Sequence, residues 1–239
     1  MKPGSEPDWE NGGPRRVLLR DEAYSVIKGF LFAEDSDQVL SERTLASRLN
    51  LGLGPVRSAV ERLRAEGLLT AVMNSGLRLP EITAREILDF YEMRMVVESH
   101  IVASLAGKIS QTQSRQLEDM LDEQDASAAS GNTVRYHQLD LDFHTTLAEF
   151  HGNGEMIRAL RQMRDKMHRL SLRLHRTHPE RLSVNAGQHR AIVEAIRKGD
   201  AHESRSQMQT HLVWGRAFTL DPDGRMGRDW SPAVPGNDG

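Results

Sequence analysis

The chain contains no cysteine, which excludes disulfides, thiolate metal sites, a cysteine nucleophile and iron–sulfur clusters. Any bound metal must therefore be held by His, Asp and Glu. Aromatic residues are scarce, at 5%, while Leu, Ala, Met, Arg and Glu dominate, a composition that favours helices over sheets. No apolar run approaches the roughly 18 residues that a membrane helix needs. The polar, Gly/Pro-rich start from Met1 to Pro14 lacks the hydrophobic stretch of a secretory signal. The expectation is a cytoplasmic protein whose first segment, 1–14, is disordered. Charge of one sign is also lacking: a net −3 over 239 residues argues against a protein that coats nucleic acid. It leaves room for a small DNA-reading module joined to an acidic partner domain. An apolar content of 38% excludes disorder over the whole length, and the length suits one large domain or two ordinary ones.

From Val17 to Ala33 the apolar residues follow helical spacing. Ser41 then reads as the N-cap of a short helix that stops at Asn50-Leu51-Gly52. Gly54 and Pro55 read as the N-cap and first position of a third helix, with Val56, Ala59, Val60 and Leu63 on one face and Gly67 as its stop. Leu68–Val72 and Leu77–Leu79 are short β-like runs joined by a turn-rich Met73-Asn74-Ser75-Gly76. A helix, a helix–turn–helix and a hairpin make a winged helix over residues 15–80. In this segment ten basic residues stand against eight acidic ones, a weak bias of the sign that phosphate contacts require. Scattered arginines on a solvated face would give the same count.

Beyond Pro80 every strong pattern is helical. Thr83 caps a segment running to about Lys108, followed by Thr112–Ala129, Val134–Phe150, Met156–His175, Leu182–Lys198 and Ala201–Phe218. The fold class is thus mostly α, a winged helix–turn–helix with a small β-hairpin wing followed by an all-α six-helix bundle over 81–219. The Gly-, Pro- and Asp-rich remainder, 220–239, is expected to be disordered.

Leu40-Ser41-Glu42-Arg43, Leu45-Ala46, Leu49, Pro55-Val56-Arg57, Ala59, Leu63 and Glu66-Gly67-Leu68 resemble the winged-helix signature of GntR-type bacterial transcriptional regulators. The resemblance continues through Tyr91-Glu92-Met93-Arg94, Glu98, Phe143-His144, Gly152-Asn153, His189-Arg190-Ala191-Ile192, Ala195-Ile196, Gly199-Asp200 and His211-Leu212, which are similar to the FCD-type effector domain of the FadR subfamily. It implies a homodimer that binds a double-stranded DNA operator and responds to a small carboxylate. Ser41, Arg43, Arg48, Leu53, Gly54, Arg57 and Arg78 are the candidate DNA-contacting residues. One departure stands out: most relatives carry Ser-Arg-Thr where this chain has Gly52-Leu53-Gly54, and basic residues where it has Ala71-Val72. Leu53 can meet a thymine methyl but cannot make the bidentate guanine contact of an arginine, worth about 1–3 kcal/mol of discrimination. A regulator with weak DNA binding is therefore an alternative reading.

Asp140 and His144, four residues apart, share a helical face and form a possible metal bite; His189 and His211 lie on later helices. Neutral imidazoles with one carboxylate suit Zn²⁺, Ni²⁺ or a similar ion, although ten histidines offer many combinations. The resemblance implies that these four hold a divalent ion in the bundle core. His137 and His151 lie near the same helical face, as supporting residues or as surface. Arg94 sits in an apolar stretch where its guanidinium needs an anion. Glu98, one turn on, is one such partner; the resemblance implies instead that Arg94 grips the effector carboxylate, with Asn153 and the metal as further ligands. A metal-dependent enzyme is a third reading, because an open His/Asp site can activate water, but no residue presents itself as a general base.

Overall fold

The computed structural model describes residues 14–34, 39–73, 76–163, 178 and 180–223. The chain divides into two compact units, Met1–Glu81 and Ile82–Gly239. The expected disordered segments fall largely outside the described residues, but Pro14 opens the first helix and Leu220 closes the last. Proline is at home there, since the first helical N–H has no partner inside the helix.

In the first unit α1 (Pro14–Glu34), α2 (Glu42–Arg48) and α3 (Leu53–Ala65) enclose a small apolar core. Ala23, Ile27 and Leu31 line one face of α1, and Leu45, Val56, Ala59, Val60 and Leu63 close against them. Ser41 caps α2, its Oγ accepting from Thr44 N at 3.0 Å. The turn to α3 passes through Asn50 in the left-handed region (φ 52°), a conformation an asparagine tolerates better than most residues. Helix α3 starts earlier than the sequence suggests: Gly52 is the N-cap, and Leu53, Gly54 and Pro55 occupy the first turn. Proline fits anywhere in that turn because none of its N–H groups has an intrahelical acceptor.

The wing is an antiparallel pair, β1 (Thr70–Val72) and β2 (Gly76–Arg78), with Ala71 opposite Leu77. The first run is two residues shorter than the sequence pattern, and the second keeps its length but starts one residue earlier. A third chain segment joins at Leu40, whose N–H donates to Leu77 O at 2.8 Å while Leu77 N donates to Leu40 O at 2.9 Å. This pairing explains Gly76: φ is +131°, and a Cβ there would lie 2.7 Å from Leu40 O. Only glycine avoids that clash.

The second unit consists of α4 (Ala84–Leu105), α5 (Gln111–Ala129), α6 (Thr133–His151), the helical residues 154–163 (α7), α8 (Arg181–Lys198) and α9 (Ala201–Leu220). The latter part of the expected Met156–His175 helix lies outside the described residues. Thr83 and Glu86 form a reciprocal capping box at the start of α4, and Ser110 and Gln113 do the same for α5. Helix α4 lies along α9; α5 packs on α6 and α8, and α8 on α9. Helix α4 ends three residues before the expected Lys108, where Gly107 adopts φ 68° and its N–H donates to Ile196 O at 2.9 Å. A side chain on Gly107 would lie 3.3 Å from Gly199 Cα, so this close approach of two helix ends requires glycine. No helix among the described residues is long and apolar enough to cross a membrane.

Candidate functional site

In the first unit the candidate DNA-contacting residues fall on and around α2, α3 and the wing. Arg43, Arg48, Gly54, Arg57 and Arg78 are exposed and Leu53 is half-buried. Ser41 is engaged in capping α2, which leaves its Oγ committed to Thr44. Arg57 Nε donates to Glu42 Oε2 at 3.2 Å, tying α3 to the start of α2. The first turn of α3, the part of a recognition helix that meets base edges, presents Leu53 and Gly54, and a Cβ at Gly54 would meet only open space. Leu53, Gly54 and Pro55 carry no side-chain hydrogen-bonding group, so Arg57, in the following turn, is the first residue of α3 that can hydrogen-bond through its side chain.

The second unit brings Arg94 and Glu98 of α4, Asp140 and His144 of α6, His189 of α8 and His211 of α9 together, all buried. One ring nitrogen from each of His144, His189 and His211 lies within 4.8 Å of the others. Asp140 Oδ1 is 3.6 Å from His189 Nε2 and accepts from Asn185 Nδ2 at 2.8 Å. Tyr91, Arg94, Asp140, His144, His211 and Trp214 line a cavity of about 30 Å³ beside the cluster, room for very few water-sized groups.

Each imidazole is oriented through Nδ1. His189 Nδ1 donates to Gln124 Oε1 at 2.8 Å, and Gln124 Nε2 in turn donates to Leu139 O, which fixes the direction of the amide. His211 Nδ1 donates to Gln188 Oε1 at 3.0 Å. His144 Nδ1 lies 2.5 Å from Glu98 Oε2, a close contact with the carboxylate rather than an aligned hydrogen bond. Its Nε2 accepts from Arg94 Nη2 at 3.1 Å, and the guanidinium can only donate. All three rings therefore carry their lone pair on Nε2, the arrangement in which a metal-binding histidine is held by an oxygen on its other nitrogen. Buried His189 Nε2 has no hydrogen-bond partner. Three neutral imidazoles and a carboxylate are a donor set that suits a divalent transition ion.

The protonation states agree with this geometry. Burial drives His189 and His211 well below the ordinary histidine range, and repulsion from the Arg94 charge adds to it. Burial opposes ionisation of Asp140, but His144, His211, His137 and Arg94 outweigh it and hold the carboxyl below its usual range. Glu98 behaves likewise: desolvation is overcome by Arg94 and His144. Arg94, only 4% exposed, stays charged because Glu98, at 2.5 Å from its Nε, offsets the cost of burial.

Asn153 lands elsewhere, and the open choice for His137 and His151 between support and surface is narrowed. Asn153 is exposed and lies outside the cavity lining; its Oδ1 accepts from Glu155 and Met156 N–H groups at 3.0 and 3.2 Å, which caps α7. A short polar side chain at a helix start satisfies otherwise orphaned donors, and that demand decides its direction. His137 is fully buried rather than on the surface. His151 faces His100, with ring centroids 5.5 Å apart, away from the cluster. Conversely Gln124, Asn185, Gln188 and Trp214 were not singled out. Asn185 stands four residues before His189, on the same face, and Gln124 continues the Leu117, Leu121 stripe; both spacings are visible in sequence. Gln188 and Trp214 carry no such signal.

A winged helix–turn–helix in one unit and a helical unit built round a buried polar cavity define a two-unit transcription regulator. Residues 89–213 match the FCD domain model, and the chain belongs to that family: it is a GntR-type transcriptional regulator with an FCD effector domain of the FadR-like kind. The HTH-type transcriptional repressor NanR of Cronobacter sakazakii is 27% identical over 82% of this chain and 81% of its own length. The HTH-type transcriptional repressor GlaR of Escherichia coli is 28% identical over 74% of this chain and 84% of its own. Among solved structures, E. coli McbR/YncC superposes with a TM-score of 0.73 at 16% identity, covering 85% of this chain and 98% of its own. These relatives are named regulators, and the chain is a regulator rather than an enzyme.

Proposed function

We propose that the protein is a dimeric, metabolite-responsive operator-binding regulator whose effector unit holds one divalent ion through Asp140, His144, His189 and His211, with Zn²⁺ or Ni²⁺ the best match to the donors. A small carboxylate binds beside it, gripped by Arg94, whose planar fork matches a carboxylate. The observation that carries this reading is the set of three buried imidazoles, each held through Nδ1 by Glu98, Gln124 or Gln188 so that every Nε2 lone pair is free of its own proton. The bound ion would supply a Lewis-acidic anchor for the carboxylate. Effector binding then shifts the population between two placements of the DNA-reading heads. Support for a dimer through the second unit comes from α4, where Met93 and Val96 are exposed, Val96 at 68%, on a helix whose other face is fully used by the core.

A second reading, a regulator with weak direct readout, is favoured by Leu53 and Gly54 at the start of α3 and by the pairing of Arg57 with Glu42. The operator would then be recognised with fewer base-specific contacts.

The test is elemental analysis of untagged protein, followed by thermal denaturation of chelator-treated chain with added Zn²⁺, Ni²⁺ or Mn²⁺. One ion per chain and a rise in Tm are expected, both lost in His189→Ala. Metal-free protein that gains no stability from any of the three ions would reduce the four residues to polar lining of the cavity.

A further inference from the structure

His144 has one lone pair, and in this structure it is already in use. Nδ1 faces Glu98 Oε2 at 2.5 Å, and Nε2 accepts from Arg94 Nη2 at 3.1 Å. An imidazole nitrogen cannot accept from a guanidinium and ligate a metal with the same electron pair. Arg94 is also held through Nε, on the same edge of the guanidinium as Nη2, where it donates to Glu98 Oε1 at 2.5 Å, so giving up the His144 bond leaves the guanidinium anchored to Glu98. Charge points the same way. Arg94 offsets one of the two buried carboxylates, Glu98 and Asp140; His144, whose Nε2 accepts from Arg94, adds no charge of its own, and burial keeps His189 and His211 neutral, so one negative charge is left in excess.

We propose that Arg94 is a built-in placeholder: it occupies the His144 lone pair in the metal-free chain, competes with a divalent ion for it, and on giving it up offers its freed Nη2 to an anion. This rests on the proposed metal site above and assigns Arg94 a role that a purely effector-gripping arginine would lack. Removing the bond between Arg94 and His144 raises metal affinity, whereas removing a helper residue would lower it. A dication beside Arg94 turns the excess negative charge into an excess positive one, so one monoanion restores balance. Metal and carboxylate consequently strengthen each other's binding, by the same factor in both directions.

The experiment compares full-length wild type with Arg94→Lys by competition of Zn²⁺ against a fluorescent chelator, with and without acetate. Lysine keeps the charge and the Glu98 partner but has a single nitrogen in place of the fork. The expected result is Zn²⁺ binding about tenfold tighter in Arg94→Lys, the worth of one charge-assisted hydrogen bond. Acetate should tighten Zn²⁺ binding in wild type and do so less in the variant, which keeps the charge but lacks the fork. Equal or weaker Zn²⁺ binding in a folded Arg94→Lys overturns the placeholder while leaving the metal site standing; no Zn²⁺ binding in wild type overturns both. If the variant does not fold, NMR of wild type decides. A hydrogen-bond coupling between an Arg94 Nη–H and His144 Nε2 should be present in the metal-free chain and vanish with Zn²⁺, and its persistence in the loaded chain refutes the competition.

Discussion

The two units handle charge in opposite ways. In the DNA-reading unit the ion pairs lie at the surface: the side chains of Arg57 and Glu42 are 62% and 36% exposed, and Arg62 with Asp21 and Glu66 is comparably open. In the effector unit an arginine, two carboxylates and three histidines are sealed in the bundle core. The difference reflects what each surface must do. Arginines that meet phosphates must be able to leave their partners at low cost, and exposed pairs are worth only about 0–1 kcal/mol. Groups that must hold fixed directions round a small ligand gain from a dry, low-dielectric site, where an unmet charge is costly.

The largest test of this contrast is Glu98→Ala. It strands the Arg94 guanidinium and frees His144 Nδ1, and should destabilise the second unit by about 3–5 kcal/mol, the cost of an orphaned buried charge. Urea denaturation followed by circular dichroism measures it; a loss below about 1 kcal/mol would mean that water reaches the pair. Disrupting the surface pair by Glu42→Ala should cost less than about 1 kcal/mol in the same assay.

Acidification comes next in size. His189 and His211 are neutral in the folded chain well below the ordinary histidine range, whereas in the unfolded chain they titrate near 6.5. Below about pH 6.5 the unfolded state therefore binds protons that the folded state does not. Stability is complete above that pH and falls as pH drops, by up to about 1.4 kcal/mol per unit for each histidine. Glu98 and Asp140 are held ionised below the usual carboxylate range, so their contribution is lost only at more acidic pH, through and below that range. Chelator-treated protein in urea at pH 7.5 and 5.5 should show the drop. A chain equally stable at both would mean that the histidines accept protons without unfolding.

The smallest effect on stability, and the one specific to function, is expected from Arg57→Ala. Operator affinity should fall by about 1–3 kcal/mol if Arg57 reads a base, with a smaller loss on unrelated DNA, while the fold loses under about 1 kcal/mol. Equal losses on every sequence in an electrophoretic shift assay would assign Arg57 to phosphate instead.

Much of the fold was legible because it rests on local rules. Ser41 and Thr83 cap the helices their side chains announce, and the Ala23, Ile27, Leu31 spacing marks the buried face of α1. Errors fell at element ends, as at Gly52 rather than Gly54, where first-turn geometry accepts more than one register. The metal-site candidates were found through the Asp140–His144 spacing and the family resemblance, and they do converge. Asn153 was misleading because the same residue type serves a ligand or a helix cap equally well, and the chain pattern does not say which demand is present.

The sequence by itself determined the helical class, the winged-helix order, most caps and the Asp140–His144 pair, because spacing along one helix is a property of the chain; His189, His211 and Arg94 were reached as site residues only through the family resemblance. Tertiary structure alone decided which nitrogen of each histidine carries the lone pair, that Gln124 and Gln188 orient two of the rings, and that Arg94 donates to His144 while holding Glu98. Those partners stand 65, 23 and 50 residues apart. Burial is what makes their orientation matter, since only in a water-poor core must each polar atom find a specific partner.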